Sequence, residues 1–244
     1  MKKSIFLLLM TYILGVQFAN AQQFYRIKAD VSIKDKLSNG SYRLTVGKVY
    51  YDKTSLKVIY KLTFPQKETI IIKDTTLYKI TKDSVLVQSV LASNEFSIFH
   101  LALSGKLADY GLNSGNVAKI YKISKVEKDK DGRVITTWSV VEKQLMKTLG
   151  KIKMANANKK LDAIAFYDPK EKLLSQQFFK EYSNYNGVEF PKQVTQISYN
   201  TDGTQNIQQT TYKNIIIDQE DENESYNYPI PTITKPKQPA KSPK

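Results

Sequence analysis

Alternation of apolar and polar residues runs through most of the chain and is typical of β-strands with one face in solvent. In residues 25–34, every second residue from Ile27 to Ile33 is apolar, and the residues between them are charged or carry a hydroxyl. The Asn39-Gly40 pair that follows is typical of a two-residue hairpin turn, because both residues tolerate positive φ. The alternation resumes directly after this pair, which predicts the returning strand.

Residues 58–80 continue the pattern as a meander. Strands are predicted over residues 58–64, 68–73 and 76–80, and Pro65 ends the first of them because proline cannot donate a hydrogen bond to the ladder. No helical spacing separates these segments, so adjacent strands are expected to pair as hairpins in an antiparallel sheet.

A change of period predicts a helix over residues 93–110. Apolar residues recur there three and four positions apart, which is the spacing of one helix face. These residues are Phe96, Phe99, Leu103, Leu107 and Tyr110. Ser93 or Asn94 is expected to cap the start of the helix. Gly105 either interrupts the helix or divides it in two, and Gly111 is expected to end it.

Strand patterns return at residues 118–126 and are repeated to the end of the segment QNIQQTTYKNIIID. Residues 143–160 have no clear period. The expected total is about nine to twelve strands, and a sheet of that size twists and curls. The predicted fold class is therefore α+β but mostly β: a curved antiparallel sheet that forms a half-open barrel, with helix 93–110 as a lid on its concave side.

The first 21 residues have the layout of a secretory signal peptide. Lysines at positions 2 and 3 precede a short apolar core, and Ala19-Asn20-Ala21 is a small-residue cleavage site. The apolar core is shorter than the roughly 20 residues of a spanning helix, although an N-terminal membrane anchor is the alternative interpretation. We expect cleavage after Ala21 and a periplasmic location.

The absence of cysteine and the composition of the C-terminal end define the rest of the organisation. A chain without cysteine has no disulfide, no thiolate metal site and no lipid anchor of the bacterial lipoprotein type. An acidic run, Asp218 to Glu224, precedes a segment rich in proline and lysine. We expect one domain over residues 22–228 and a disordered tail over residues 229–244, which either contacts an anionic membrane surface weakly or only aids solubility.

The net charge of +14 comes almost entirely from lysine. Only Arg26, Arg43 and Arg133 are arginine among the 37 basic residues. Nucleic-acid readers favour arginine forks, so a nucleic-acid partner is not expected. Scattered lysines indicate a solvated surface or a weak attraction to anionic membranes.

The sequence contains no recognisable catalytic or metal-binding motif. His100 is the only histidine, so a histidine metal cluster does not have enough residues. A Ser-His-Asp triad would have to use His100, and the sequence contains no G-x-S-x-G motif. Asp129 and Asp131 lie in a turn pattern, and the acidic run lacks the glycine of a calcium loop. The glycines are scattered and form no phosphate-binding loop. We expect no catalytic residue, no metal, no cofactor and no enzyme activity.

Several predicted strands are apolar on both faces, as in Ile70-Ile71-Ile72 and Phe178-Phe179. Either both faces of the sheet are covered, or a cavity between sheet and helix binds an apolar ligand. The candidate lining residues of such a cavity are Tyr60, Leu62, Phe64, Ile71, Phe96, Phe99, Leu103, Phe166 and Phe178. The sequence thus predicts a binding or carrier protein for an apolar molecule. The alternative is a non-catalytic envelope structural or interaction module with a filled core.

The order of the strand motifs resembles the LolA-like family, the periplasmic carriers of outer-membrane lipoproteins. The positions that carry this resemblance are Gly47, Tyr60, Pro65, Asp74, Leu77 and Tyr78, together with the segment LDAIAFYD, the Phe190-Pro191 pair and the terminal YKNIIID. The resemblance implies an unclosed barrel with a helical lid and a cavity for acyl chains. It implies an acylated lipoprotein or lipid as partner, a monomer and no cofactor.

Two features of that family have no counterpart in the pattern. The carriers begin with a helix before the first strand, whereas strand alternation here begins at Tyr25. The family also has an arginine that holds the lid closed, and Arg43 does not match its spacing. The fold is therefore predicted more directly than the carrier role.

Overall fold

The computed structural model describes residues 23–82, 84–89 and 94–230. Within these ranges the protein is mostly β, and 13 strands form one antiparallel sheet in the order β6-β5-β4-β3-β2-β1-β13-β12-β11-β10-β9-β8-β7. The strands are β1 (Arg26–Lys36), β2 (Tyr42–Asp52), β3 (Lys57–Phe64), β4 (Glu68–Lys73), β5 (Thr76–Ile80), β6 (Val85–Ser89), β7 (Tyr121–Lys128), β8 (Val134–Val140), β9 (Ile152–Ala157), β10 (Lys160–Tyr167), β11 (Leu173–Tyr185), β12 (Val188–Tyr199) and β13 (Gln205–Ile217).

The sheet consists of two meanders joined by the pairing of the first strand with the last. β1 pairs with β2 on one side and with β13 on the other. The first meander ends at β6 and the second begins at β7, so these two strands are the opposite edges of an unclosed sheet. The connection from β6 to β7 must therefore cross one face of the sheet from edge to edge.

That connection contains the helical elements that the sequence predicted as one helix over residues 93–110. A 3-10 helix (Asn94–Phe96) is followed by α1 (Ile98–Leu103) and, further on, by α2 (Val117–Ile120). The regular helix ends at Leu103, so its predicted extent to residue 110 is wrong. Gly105, with φ of +66°, follows the last turn of α1 and interrupts the helix, which is one of the two effects that the sequence predicted for it. The cap of α1 is Ser97, whose hydroxyl accepts a hydrogen bond from His100 N. We call residues 94–112 the crossing segment.

Three other strand boundaries differ from the sequence prediction. Residues 118–120, predicted as the start of a strand, belong to α2, and β7 begins at Tyr121. The strand β6 was not predicted. Residues 143–160, which showed no period, contain β9.

The main core lies on the face of the sheet that the crossing segment covers. Phe99 of α1 stacks on Tyr51 of β2 and on Phe190 of β12, each with ring centroids 5.9 Å apart. Tyr110 meets the ring of Phe166 in β10 at 5.9 Å. One short segment thus contacts strands far apart in the sheet, which requires the sheet to curve around it.

A second, smaller core lies on the opposite face of the first meander. Tyr50, Ile59, Ile71 and Tyr226 are its buried members, and Tyr78, Ile80, Tyr228 and Ile230 pack against it. The strand register places Tyr50, Ile59, Ile71 and Tyr78 side by side in one row. Both faces of these strands are therefore covered, which accounts for the apolar run in β4.

The cover on this outer face is residues 218–230, which we call the C-terminal strap; it includes α3 (Asn223–Tyr226). Lys28 of β1 forms ion pairs with Asp221 and Glu222, and the Tyr50 hydroxyl donates to Glu222 over 2.5 Å. The hydrogen bonds from Tyr50 and Lys28 hold the pKa of Glu222 below its usual value. Residues of the acidic run thus bind Lys28 and Tyr50 of the sheet that they cover.

The predicted domain boundaries remain predictions. The predicted signal peptide, residues 1–21, lies outside the described residues, as does most of the predicted tail, residues 231–244. Ile230, which falls within the predicted tail, packs against the outer core.

Candidate ligand-binding cavity

A cavity of about 590 Å³ opens at one end of the sheet, between the crossing segment and the strand ends. Its lining comes from the entry to β1, the end of β2, the crossing segment, and the turns that join β9 to β10 and β11 to β12. The lining includes five large apolar residues and five residues with polar groups. The apolar residues are Phe24, Leu103, Leu107, Leu161 and Val188, and the others are Lys53, Lys159, Lys160, Tyr182 and Glu189.

The apolar wall of the cavity belongs to the main core. Phe24, Leu103, Leu107, Leu161 and Val188 are all buried members of that core. Leu103 is the last residue of α1, and Leu107 follows Gly105, so the end of the helix directs both side chains toward the sheet. An apolar ligand entering here would extend the core and leave water, which is favourable by about 25 cal/mol per Å².

The charged residues of the lining are three lysines and one glutamate. Lys160 forms an ion pair of 2.8 Å with Glu189, and its ammonium lies 5.5 Å from the ring centre of Tyr182. The Tyr182 hydroxyl donates to Leu161 O over 2.7 Å. Burial raises the pKa of Tyr182, so this hydroxyl keeps its proton. The cavity therefore combines an apolar wall with a charged margin.

His100 fastens the crossing segment near this cavity. Its Nδ1 lies 2.8 Å from the Tyr51 hydroxyl, and its Nε2 lies 3.4 Å from Ser104 Oγ. Burial lowers the pKa of His100, and the nearby ammoniums of Lys53 and Lys106 lower it further. The imidazole is thus held in its neutral form.

The predicted lining residues do not form a single site. Leu103 lines the cavity, whereas Phe99 is buried in the main core and Tyr60, Phe96 and Phe166 pack against that core. These five residues lie on the side of the sheet that the crossing segment covers. The rings of Tyr60, Phe96, Phe99 and Phe166 fill the space between the crossing segment and the sheet.

The other four predicted residues lie elsewhere. Ile71 is in the outer core, and Leu62 is buried but is in neither core of the described residues. Phe64 is 51% exposed at the end of β3. Phe178 precedes Phe179, a member of the main core, so strand alternation turns it to the opposite face.

Most residues of the cavity wall were missed by sequence reasoning. Phe24 precedes the first strand, and Leu161 and Val188 are at strand beginnings beside turns. One local signal existed for Leu107, which belongs to the apolar spacing of the crossing segment. For the others, proximity depends on strand register, which the apolar pattern does not provide.

Membrane-spanning helices and clusters of metal-ligating side chains are both absent from the described ranges. No helix between residues 23 and 230, within the described ranges, is long and apolar enough to cross a membrane. Within the same part of the chain, no three His, Asp or Glu side chains are grouped as metal ligands.

Comparisons with known proteins identify the fold. No protein-family model matches the sequence, and no curated protein matches it either. Solved structures match over most of the chain. A LolA superfamily protein from Nitrosomonas europaea is 13% identical with a TM-score of 0.51, and the match covers 80% of this chain and 86% of that one.

Two further structures have the same architecture. A DUF1329 family protein from Desulfovibrio piger is 12% identical with a TM-score of 0.57, and the match covers 90% of this chain and 96% of that one. A domain named for outer-membrane lipoprotein sorting, from Vibrio parahaemolyticus, is 12% identical with a TM-score of 0.55 and coverage of 82% and 89%. The protein therefore has a LolA-like fold, as the order of its sequence motifs predicted.

Proposed function

We propose that the protein is a periplasmic binding or carrier protein for an acylated lipoprotein or another apolar, acylated ligand. The observation that carries this proposal is the cavity between the crossing segment and the sheet, with an apolar wall continuous with the core. The LolA-like fold supports it, since a structural match named for lipoprotein sorting has the same architecture. The proposed role requires no catalytic group and no cofactor.

The crossing segment is the proposed lid. Its start is fixed by Asn94, whose side-chain amide donates to Leu56 O over 2.8 Å and to Ile72 O over 2.7 Å. Near its other end, the Asn156 amide donates to Ala108 O over 2.8 Å. Between these ties the segment contains only the six residues of α1 as regular helix. The segment is therefore proposed to open when these hydrogen bonds at its two ends break.

An acyl chain can extend along the concave face only if the segment opens, because the rings of Phe96, Phe99 and Tyr110 occupy the centre of that face. Lifting the segment withdraws these rings together and extends the cavity along the sheet. Each methylene of an acyl chain that then leaves water contributes about 0.8 kcal/mol. That gain replaces the apolar contacts that the lid gives up, so opening and binding are coupled.

The proposed location is the periplasm, after removal of residues 1–21, and the proposed state is a monomer. The sequence signal for export and the LolA-like fold point in the same direction. Without a cysteine after the cleavage site, the exported protein has no lipid anchor of its own.

Native mass spectrometry of the exported protein tests the proposal, together with titration of a fluorescent acyl probe. We expect co-purified acylated mass or saturable probe uptake. Ala108→Trp fills the mouth of the cavity from an exposed position and should reduce uptake, whereas Tyr42→Trp, at an exposed position outside the lining, should leave it unchanged. A ligand-free protein that takes up no probe favours the alternative, an interaction module with a filled core.

A further inference from the structure

Only some of the charged residues that line the cavity have an ion-pair partner among the described residues. Three lysines and one glutamate line it, and the glutamate, Glu189, is paired with Lys160. Within the described part of the chain, Lys53 and Lys159 form no ion pair. The cavity therefore has two uncompensated positive charges beside an apolar wall.

These two charges come from different parts of the fold. Lys53 follows the end of β2 and is half-buried, and Lys159 is exposed in the turn between β9 and β10. Because both line the same cavity as Leu103 and Leu161, an anion placed between them would lie next to apolar surface. Charge pairs beside such surface are screened less than pairs in open solvent.

A third ammonium adds to the field at this end of the crossing segment. Lys106 lies between the lining residues Gly105 and Leu107, and together with Lys53 it lowers the pKa of His100. Both ammoniums are thus close enough to the Tyr51–His100 contact to act on it. Glu95 acts on the same imidazole in the opposite direction.

We infer that the ligand of this cavity is a single-chain amphiphile with an anionic headgroup. Its chain packs against Leu103, Leu107, Leu161 and Val188, and its carboxylate or phosphate lies between Lys53 and Lys159. This inference rests on the proposed function, since it assumes that the cavity accepts an apolar chain. It further specifies that the headgroup of the ligand is negatively charged.

Calorimetric titration at low salt with laurate, lauryl alcohol and inorganic phosphate tests the inference. Laurate and lauryl alcohol share one chain and differ in the charge of the head, whereas phosphate has the charge and no chain. We expect laurate to bind about tenfold more tightly than the alcohol, because two partly exposed charge contacts contribute roughly 0.5–1 kcal/mol each. We expect phosphate alone to bind far more weakly than laurate, and added salt to reduce the preference for laurate.

Matched variants separate a local effect from net charge. Lys53→Gln/Lys159→Gln should abolish the preference for laurate and leave the binding of lauryl alcohol unchanged. Lys122→Gln/Lys128→Gln removes the same charge from exposed positions on β7 and should preserve the preference. Circular dichroism of each variant confirms that it is folded.

The outcomes distinguish the two proposals. Equal affinity of the wild type for laurate and the alcohol overturns the anionic head and leaves the apolar cavity in place. Phosphate binding as tight as laurate binding overturns the amphiphile, and an equal loss in both double variants overturns the assignment to Lys53 and Lys159. Absence of binding by both chain-bearing probes contradicts the proposed function itself.

Discussion

The Tyr51 hydroxyl lies 2.8 Å from His100 Nδ1, and this contact joins β2 to α1 of the crossing segment. The two rings also meet edge-on, with centroids 6.4 Å apart. The charged groups that act on the imidazole are Lys53 and Lys106, which lower its pKa, and Glu95, which raises it. Because burial is the largest influence and also lowers the pKa, the native protein favours the neutral imidazole.

Protonation of His100 is expected to weaken the native state. With its folded-state pKa below the unfolded value of about 6.5, the native state holds the proton less tightly than the unfolded chain. Stability is therefore complete above about pH 6.5 and falls as the pH decreases through the unfolded value toward the folded one. Urea unfolding of the wild type and of His100→Gln, at about pH 7.5 and about pH 5.5, measures this effect.

We expect the loss of stability between these two pH values to be smaller in His100→Gln than in the wild type. The carboxylates titrate at lower pH in both proteins and cancel in the comparison. An equal loss in the two proteins would show that His100 does not contribute to the pH dependence.

Tyr226→Ala is expected to destabilise the protein by about 3 kcal/mol. Tyr226 is 1% exposed, meets Tyr50 edge-on at 5.4 Å and lies under the guanidinium of Arg26 at 4.9 Å. Its loss uncovers Ile59 and Ile71 on the outer face. Chemical denaturation measures the change in the free energy of unfolding. Tyr42→Ala is the control, because Tyr42 is 75% exposed. A loss below about 0.5 kcal/mol would mean that the strap is not part of the folded unit.

Gly47→Ala is expected to cost about 3 kcal/mol or to prevent folding. A Cβ at this position would lie 2.3 Å from Lys61 O, a backbone atom that cannot move without disturbing β3. The register between β2 and β3 shifts at this point, between Val46 and Gly47, which brings the two backbones together. Lys48→Ala, at the exposed neighbouring position, should stay within about 0.5 kcal/mol of the wild type. Similar melting temperatures for the two variants would contradict this close approach.

Local signals account for the first five strands of the fold. The alternation in β1 and the proline at position 65 each act within a few residues, so β1, β3, β4 and β5 were predicted nearly to their observed ends. The Asn39-Gly40 turn lies where it was predicted, but it is not a two-residue turn: Leu37 N donates to Ser41 O, and of the pair only Gly40 has a positive φ. β9 lacked such signals because its sequence, IKMANA, contains alanine and asparagine, which are poor strand formers.

The outer core and the cavity depend on contacts that no local pattern contains. The hydrogen bond between Tyr50 and Glu222 joins residues 172 positions apart, so the acidic run showed only its charge in the sequence. Likewise, Phe24, Leu161 and Val188 come together only through the pairing of strands that begin near them. The strands that are apolar on both faces indicated either a second covered face or a binding cavity. Strand register determines which residues form each of them.

Asn94→Ala is expected to loosen the crossing segment while the sheet remains folded. Asn94 is buried, and its amide fixes the start of the segment to the carbonyls of Leu56 and Ile72. Loss of this side chain leaves two carbonyls without their donor, at a cost of about 1–3 kcal/mol to the closed position of the segment. Hydrogen–deuterium exchange should increase over residues 98–108 while β11 and β12 remain protected, and a bound acyl probe should dissociate faster.

Asn206→Ala provides the matched control for this experiment, since Asn206 is at the start of β13 and its side chain accepts only from the exposed Ser38 N among the described contacts. Its exchange over residues 98–108 should equal that of the wild type. If Asn94→Ala instead increases exchange equally in the crossing segment, β11 and β12, the segment unfolds together with the sheet, because its rings are inseparable parts of the main core. The segment would then act as a fixed wall, and a ligand would have to enter through the 590 Å³ opening beside Leu103 and Leu107 alone.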